Sequence, residues 1–244
     1  MNPEEDAWGQ LILAQYEGKK SYEAIERDDG FLDVSLNPQR YFSTFDEWNI
    51  HTQESMQQVK GTVLDIGCGA GRHALYLQDK GLDVLGIDNS PLAIKVCQLR
   101  GLKKTKVTSI DELSFDTGSF DTILMLGNNF GLFGSFNKAK ELLMRFHSFA
   151  SDDCLIIAET LDPYKTDNPV HLKYHELNLS RGRMGGQIRF RIRYGIFTTP
   201  WFDYLFVSKD EMSEILNGTG WRVREFIESE SVSYIALIEK YHLA

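Results

Sequence analysis

Cysteine is scarce in this sequence. Three residues, Cys68, Cys97 and Cys154, are odd in number and far apart, which fits neither a disulfide framework nor paired metal-ligand spacing. No metal is expected, and a reducing, cytoplasmic setting is the simplest reading. Long apolar runs are also missing. None approaches the roughly 18 residues that a membrane span needs, and Met1-Asn2-Pro3-Glu4-Glu5-Asp6 is acidic where a secretory leader would be basic. Neither secretion nor membrane insertion is therefore expected. Positive charge is in deficit, with 26 Lys+Arg against 35 Asp+Glu and a formal net charge of −9. A general grip on nucleic-acid phosphates or anionic lipid lacks its electrostatic source. Internal repeats and low-complexity tracts are absent.

What is present is the composition of a domain that buries a core: 244 residues, 42% hydrophobic, 12% aromatic and 25% charged. Residues 1–60 form an acidic arm, with 12 acidic against 5 basic residues by count. Helical stretches are expected around Trp8–Tyr16 and Tyr41–Val59, separated by turn-rich Arg27-Asp28-Asp29-Gly30 and Asn37-Pro38. From Thr62 strands and helices alternate. Strands are expected at Thr62–Ile66, Val84–Asp88, near Val107, at Phe120–Leu126 and at Leu155–Ala158. Helices follow the first, second and fourth of these, with Ser90-Pro91 as N-cap and first helical residue of one. Residues 61–160 thus read as a parallel α/β core. Residues 161–207 break the pattern. Ile188-Arg189-Phe190-Arg191-Ile192-Arg193-Tyr194 alternates apolar and arginine side chains after a Gly185-Gly186 turn, predicting an antiparallel insertion. By count this stretch holds 7 basic and 4 acidic residues. Its arginine face suits an anionic acceptor, RNA phosphate, the acidic arm of another subunit, or plain solvent. Residues 208–244 open with the capping box Ser208-Lys209-Asp210-Glu211 and end in two strands, Trp221–Ile227 and Tyr234–Ile238.

The chemistry concentrates at Asp65-Ile66-Gly67-Cys68-Gly69-Ala70-Gly71, between a strand and a helix, where glycines let a ligand approach backbone N–H groups. Asp88 ends the next strand, where a carboxylate accepts hydrogen bonds from both hydroxyls of an adenosine ribose. A dinucleotide fingerprint would place its third glycine at position 72, which is Arg72, so NAD is disfavoured.

These residues resemble the first motif of class I S-adenosylmethionine-dependent methyltransferases, Val63 to Gly71 in this chain. Gly86-Ile87-Asp88-Asn89-Ser90-Pro91 resembles the family's ribose-binding strand end, and Leu113-Ser114-Phe115-Asp116-Thr117-Gly118-Ser119-Phe120-Asp121 its stretch before strand four. The resemblance covers roughly residues 60–160 and, at a coarser level, the closing helix and strand pair. It implies a Rossmann-like, seven-stranded, mostly parallel sheet with helices on both faces and an antiparallel last strand. The arm and insertion would act as a lid. It also implies S-adenosylmethionine as methyl donor, with S-adenosylhomocysteine as product and direct in-line transfer. Gly67, Gly69 and Gly71 would line the methionine part of the cofactor, with Cys68 packed between them and Asp65 near the amino group. Asp88 would hold the ribose, and Asn89, Ile110 and Asp111 would lie by the adenine. The family often has Asp where this chain has Ser109, which leaves the adenine loop less defined.

Gly127-Asn128-Asn129 falls where the family's fourth motif meets the transferring methyl group, and Asn128 is a candidate to orient the acceptor, the alternative being a turn in which Asn and Gly supply left-handed backbone. The Asn-Pro-Pro-aromatic motif of DNA adenine methyltransferases and the Pro-Cys pair of cytosine C5 chemistry are absent. Arg72 is a candidate partner for the cofactor carboxylate or a solvated side chain. His171 and His175, with Tyr174 between, are candidate bases within the insertion. His73 and His147 read as structural, and Tyr41, Phe42, Phe45 and Trp48 mostly as core. The expected acceptor is a small molecule, with nucleic acid disfavoured and a homodimer left open. Its competitors are a non-catalytic cofactor-binding protein, an RNA methyltransferase and, last, an NAD-dependent oxidoreductase.

Overall fold

Branched apolar residues bounded by glycine turns set the frame of the fold, because a strand buried on both faces needs continuous apolar side chains. The structure, a computed structural model, describes residues 3–114 and 119–241. Residues 115–118 of the stretch before strand four lie outside the described residues. In chain order the elements are α1 (Ala7–Tyr16), β1 (Glu23–Arg27), β2 (Leu32–Ser35), α2 (Ile50–Met56), β3 (Thr62–Ile66), α3 (Arg72–Asp79), β4 (Asp83–Asp88) and α4 (Pro91–Leu99). There follow β5 (Lys104–Val107), β6 (Phe120–Met125), α5 (Phe136–Phe149), β7 (Ala150–Leu161), α6 (Pro169–Ser180) and β8 (Gln187–Tyr194). The chain closes with β9 (Phe197–Thr198), β10 (Phe202–Leu205), α7 (Lys209–Leu216), β11 (Trp221–Glu228) and β12 (Ser233–Lys240). No helix among the described residues is long and apolar enough to cross a membrane.

The chain divides into two compact units. The first comprises Met1–Trp48, Thr62–Glu112 and Arg189–Phe202. Here β3, β4 and β5 pair in parallel, Ile66 beside Ile87 and Asp88 beside Val107. The Ser90 hydroxyl accepts from the Ala93 N–H and Pro91 opens α4, as the sequence predicts. α1 packs on α4, with Ile12, Ala70 and Val96 buried and Trp8, Leu13, Tyr41 and Phe42 against them. β1 pairs antiparallel with β2 on one side and with β8 on the other.

The second unit comprises Asn49–Gly61, Leu113–Ile188 and Asp203–Ala244. β6 lies parallel to β7, β12 antiparallel to β7, and β11 antiparallel to β12. Counting both units, the core strands number seven, three and four, and the closing strand runs antiparallel as expected. The Ser208 capping box is formed in full. Gly131 in this unit has no room for a side chain, since a Cβ there would lie 1.9 Å from Cε1 of Tyr204. Gly131→Ala therefore overpacks the unit by about 1–3 kcal/mol or more. Its melting midpoint is expected to fall by roughly 2–12 °C; a shift below about 2 °C in a thermal melt would show that Tyr204 yields freely.

Three local expectations are corrected. The arm is not only helical: Glu23–Arg27 and Leu32–Ser35 form a hairpin whose turn is the Asp28-Asp29-Gly30 segment, held by the Arg27 guanidinium on the Asp29 carboxylate. The expected helix over Tyr41–Val59 breaks into single turns at Pro38–Phe42 and Phe45–Glu47 before α2, because Ser43 and Trp48 adopt extended backbone. The insertion is not only antiparallel strand: α6 occupies twelve residues of it, opened by the Asn168 cap and Pro169. Gly185-Gly186 accordingly joins a helix to β8 and not two strands, and Gly186 is pressed against the Phe206 carbonyl. The arginine strand is only in part a solvated face, Arg189 and Arg193 being exposed and Arg191 half-buried. Arg191 and Arg193 both pair with Glu26 of β1, and Arg191 stacks on Trp201. The basic strand thus meets the acidic arm of its own chain.

Candidate functional site

The β3–α3 turn in the first unit is fixed by its own hydrogen bonds. The N–H groups of Gly67 and Cys68 both donate to the Ile87 carbonyl at 2.9 Å, and Gly71 N–H donates to the Cys68 carbonyl at 2.8 Å. Gly69 N–H donates to Asp88 Oδ2 at 3.0 Å. The glycine N–H groups expected to face a ligand are therefore spent inside the loop. What the glycines supply is backbone conformation, with positive φ at Gly67, Gly69 and Gly71.

Asp88 is the brace of this turn. One oxygen takes the Gly69 N–H and the other the Ser90 N–H at 2.9 Å, so a single carboxylate joins the glycine loop to the start of α4. Burial pushes its carboxyl up to about 6, against those two N–H groups and aided by Asp6. Asp65 is more extreme. It is 2% exposed, its Oδ2 has no hydrogen-bond partner among the described residues, and burial pushes its carboxyl up to about 7. Arg72 partly opposes that rise and Asp88 adds to it. A buried, unpartnered acidic oxygen fits a cationic group such as an amino-acid ammonium. Asp88, an acceptor at both oxygens, keeps capacity beyond its backbone N–H partners for ribose hydroxyls. The residues present thus fit the expected cofactor.

The remaining predicted residues of this unit divide by role. Arg72 Nη1 donates to the Arg40 carbonyl at 3.0 Å and to Ser43 Oγ at 3.2 Å, fastening the arm to α3. Trp8 lies over the loop, 3.4 Å from where a Gly69 Cβ would stand, and meets Tyr41 edge-on at 4.7 Å. Cys68 is packing: its sulfur lies 3.8 Å from that of Cys97, whose thiol donates to the Gly69 carbonyl. The Cys97 contact and burial push the Cys68 thiol far up, away from nucleophilic use. Asn89 is exposed beside Asp88; Ile110 is buried and Asp111 exposed in a single turn after β5. Glu112, which the sequence reading passed over, sets that loop by accepting the Ser109 N–H and the Thr108 hydroxyl. His73 is buried against Trp48 and its imidazole is pushed well down by burial.

In the second unit the turn after β6 carries Gly127 and Asn128 with φ of 72° and 66°. Asn128 is the one non-glycine residue with positive φ among the described residues, the left-handed backbone that asparagine tolerates in a turn. Its carbonyl accepts from the Tyr204 hydroxyl at 2.7 Å, while its Oδ1 is buried without a hydrogen-bond partner among the described residues. Two residues missed in the sequence complete this cluster. Glu159 Oε2 accepts the Gly127 N–H at 2.7 Å, and Glu159 Oε1 lies 3.5 Å from Nε2 of buried His51. Neither sits in a motif, so only the fold reveals them. Of the α6 candidates, His171 is half-buried, Tyr174 is core, and His175 packs edge-on to Tyr164. His147 packs on Trp221.

Residues 63–149 match the family described as methyltransferase domain. The whole chain is similar to an S-adenosylmethionine-dependent methyltransferase from Bacteroides fragilis solved with S-adenosyl-L-homocysteine: 26% identity, TM-score 0.83, covering 99% of this chain and 98% of that one. Over 67 residues, 25% of this chain, it is 37% identical to a ubiquinone biosynthesis O-methyltransferase of Xanthomonas oryzae pv. oryzae. Over 73 residues, 28% of this chain, it is 37% identical to the 2-heptyl-1-hydroxyquinolin-4(1H)-one methyltransferase of Mycobacteroides abscessus. These matches span 28% and 32% of those two proteins.

Proposed function

Residues 63–149 being a class I S-adenosylmethionine-dependent methyltransferase domain, we propose that the chain binds S-adenosylmethionine in its first unit and passes the methyl group to a small-molecule acceptor. One observation carries the reading: Asp65, with a buried and unpartnered carboxylate oxygen, leads into the glycine loop, and the Asp88 carboxylate is hydrogen-bonded to the loop's middle glycine, Gly69. Asp65 would meet the amino group and Asp88 the ribose, while Trp8 and Tyr41 exclude water above the loop. The bound cofactor supplies a methyl group on a sulfonium, already activated for in-line displacement. The chain's own task is then to orient the acceptor nucleophile.

For the acceptor side, Asn128 would orient the nucleophile, and Glu159 with His51 would be the carboxylate–imidazole pair to receive its proton where it arrives protonated. The relatives named for ubiquinone biosynthesis and for a hydroxyquinolinone support a small aromatic acceptor with a nucleophilic oxygen. RNA is disfavoured by the net charge of −9 and by Glu26, which holds Arg191 and Arg193. The three free cysteines, all buried, accord with a cytoplasmic site of action.

Thermal unfolding with S-adenosylhomocysteine, using NADH as control, tests the reading. A ligand at about 100 times its Kd adds roughly 2.7 kcal/mol, a readily visible rise in midpoint. A shift with NADH alone, or with neither ligand, would remove the cofactor assignment. Release of S-adenosylhomocysteine from S-adenosylmethionine on adding phenols or hydroxyquinolines then separates an enzyme from a non-catalytic binding protein.

A further inference from the structure

Two helices of the first unit begin on one carboxylate. Asp6 is 1% exposed and caps α1, where its Oδ1 accepts the Gly9 N–H at 2.9 Å. Its Oδ2 accepts the Leu92 N–H of α4 at 3.2 Å, 86 residues further along the chain. Leu92 is the second residue of α4, so its N–H finds no carbonyl within its own helix. Ser90 already serves the Ala93 N–H and Pro91 has none, which leaves the Leu92 N–H to the arm. Gly9 permits the close approach, since a Cβ there would overlap both Ser90 Oγ and the Asp6 carboxylate.

The same four residues of the arm reach both sides of the Asp88 brace. Ser90, against which Gly9 packs, gives its N–H to Asp88 Oδ1, and Asp88 Oδ2 takes the Gly69 N–H. Trp8, between Asp6 and Gly9, lies over Gly69 and is met edge-on by Tyr41. On the reading that S-adenosylmethionine binds in this unit, we propose that Asp6 is a positioning residue of the cofactor site. By bridging α1 to α4 it fixes Trp8 over the glycine loop, so that docking of α1 and binding of the cofactor favour one another. A cap that served α1 alone would need one oxygen; this carboxylate uses both, and the second holds the other helix. Whatever affinity the docked helix adds, the bound cofactor returns as tighter docking.

Asp6→Asn separates the bridge from the cap. Asparagine caps a helix as well as aspartate does, but with one acceptor oxygen it serves Gly9 or Leu92 and not both. Calorimetric titration of the full chain with S-adenosylhomocysteine is expected to show Asp6→Asn binding about tenfold more weakly, as for a lost hydrogen bond to a charged group. The Asp6 charge helps to push the Asp88 carboxyl up, so its removal alone would favour ionised Asp88 and runs against that weakening. Trp8→Ala should lose about tenfold too, and Asp6→Asn/Trp8→Ala should match Trp8→Ala within about twofold, because Asp6 acts through Trp8. In the reverse direction, S-adenosylhomocysteine should slow amide hydrogen exchange across α1 about tenfold in the parent and much less in Trp8→Ala. Asp6→Ser, a cap of equal rank with one oxygen, should repeat the result of Asp6→Asn, and far-UV circular dichroism establishes that each variant is folded. A parent that binds no S-adenosylhomocysteine would remove the cofactor reading and this role together. A parent that binds, with Asp6→Asn and Asp6→Ser at its affinity or with losses that multiply in the double variant, would overturn the positioning role alone and leave Asp6 a cap of its own helix.

Discussion

Asp88→Ala should bind S-adenosylhomocysteine at least about 100-fold more weakly than the parent, while its melting midpoint moves by only a few degrees. The affinity loss follows from two charge-assisted hydrogen bonds to the ribose, each worth about 1.5–3 kcal/mol. The stability change is a near cancellation. Removing the carboxylate strands the N–H groups of Gly69 and Ser90, at about 1–3 kcal/mol each. Against this, the carboxyl is held near 6 where an unburied one sits near 3.8. Its removal relieves about 3 kcal/mol above pH 7. Isothermal titration calorimetry beside a thermal melt separates the two quantities. Unchanged affinity would sink the ribose assignment, and a collapse of the melt would show Asp88 to be chiefly a brace for the loop.

Much of this site was legible because it is local in sequence. A strand, a glycine turn and a helix fix Asp65, and the end of the next strand fixes Asp88, so spacing along the chain translates directly into position. The Ser90-Pro91 cap and the Ser208 capping box were legible for the same reason. What was not legible depends on partners distant in sequence. His51 meets Glu159 over more than a hundred residues, and nothing in the pattern around either residue marks it. The hairpin of the arm was hidden because β1 and β2 carry Glu23, Glu26 and Asp33 among their apolar residues. Those charges make sense only once Arg40 and the arginines of β8 are seen opposite them. Helix α6 was hidden by composition, since its polar and apolar residues show no helical stripe. It rests on its Asn168 cap and on Tyr174 and Asn178, whose amide donates to the Gly185 and Gln187 carbonyls. The glycine loop shows a subtler gap. Its sequence correctly marks the turn but does not reveal that the N–H groups are already used by Ile87, Asp88 and Cys68.

Asp65→Asn should act in opposite directions on stability and on binding, and both effects should depend on pH. In the folded chain the Asp65 carboxyl is held near 7, above the 3.8 of an unburied aspartate, so the folded state keeps its proton where the unfolded state has lost it. Stability from this group is therefore highest below about pH 4 and falls as pH rises toward 7. Asparagine is neutral throughout and removes that fall. The variant should gain almost nothing at pH 4 and about 2–4 kcal/mol above pH 7, read as a higher melting midpoint of the ligand-free protein. Binding runs the other way. An ammonium beside Asp65 favours the ionised carboxylate, so S-adenosylhomocysteine must expel the proton below pH 7. Arg72 and Asp88, the other charges acting on Asp65, pull in opposite senses and leave this direction unchanged. Affinity should rise with pH up to about 7 and then level off, and calorimetry at pH 6 in two buffers of different ionisation enthalpy should show nearly one proton released. Asp65→Asn should lose most of that proton and about tenfold or more in affinity, since an ammonium–carboxylate ion pair becomes an ammonium–amide hydrogen bond. If the variant released the same proton, the acid facing the amino group would have to be Asp88, and the two ends of the site would exchange roles.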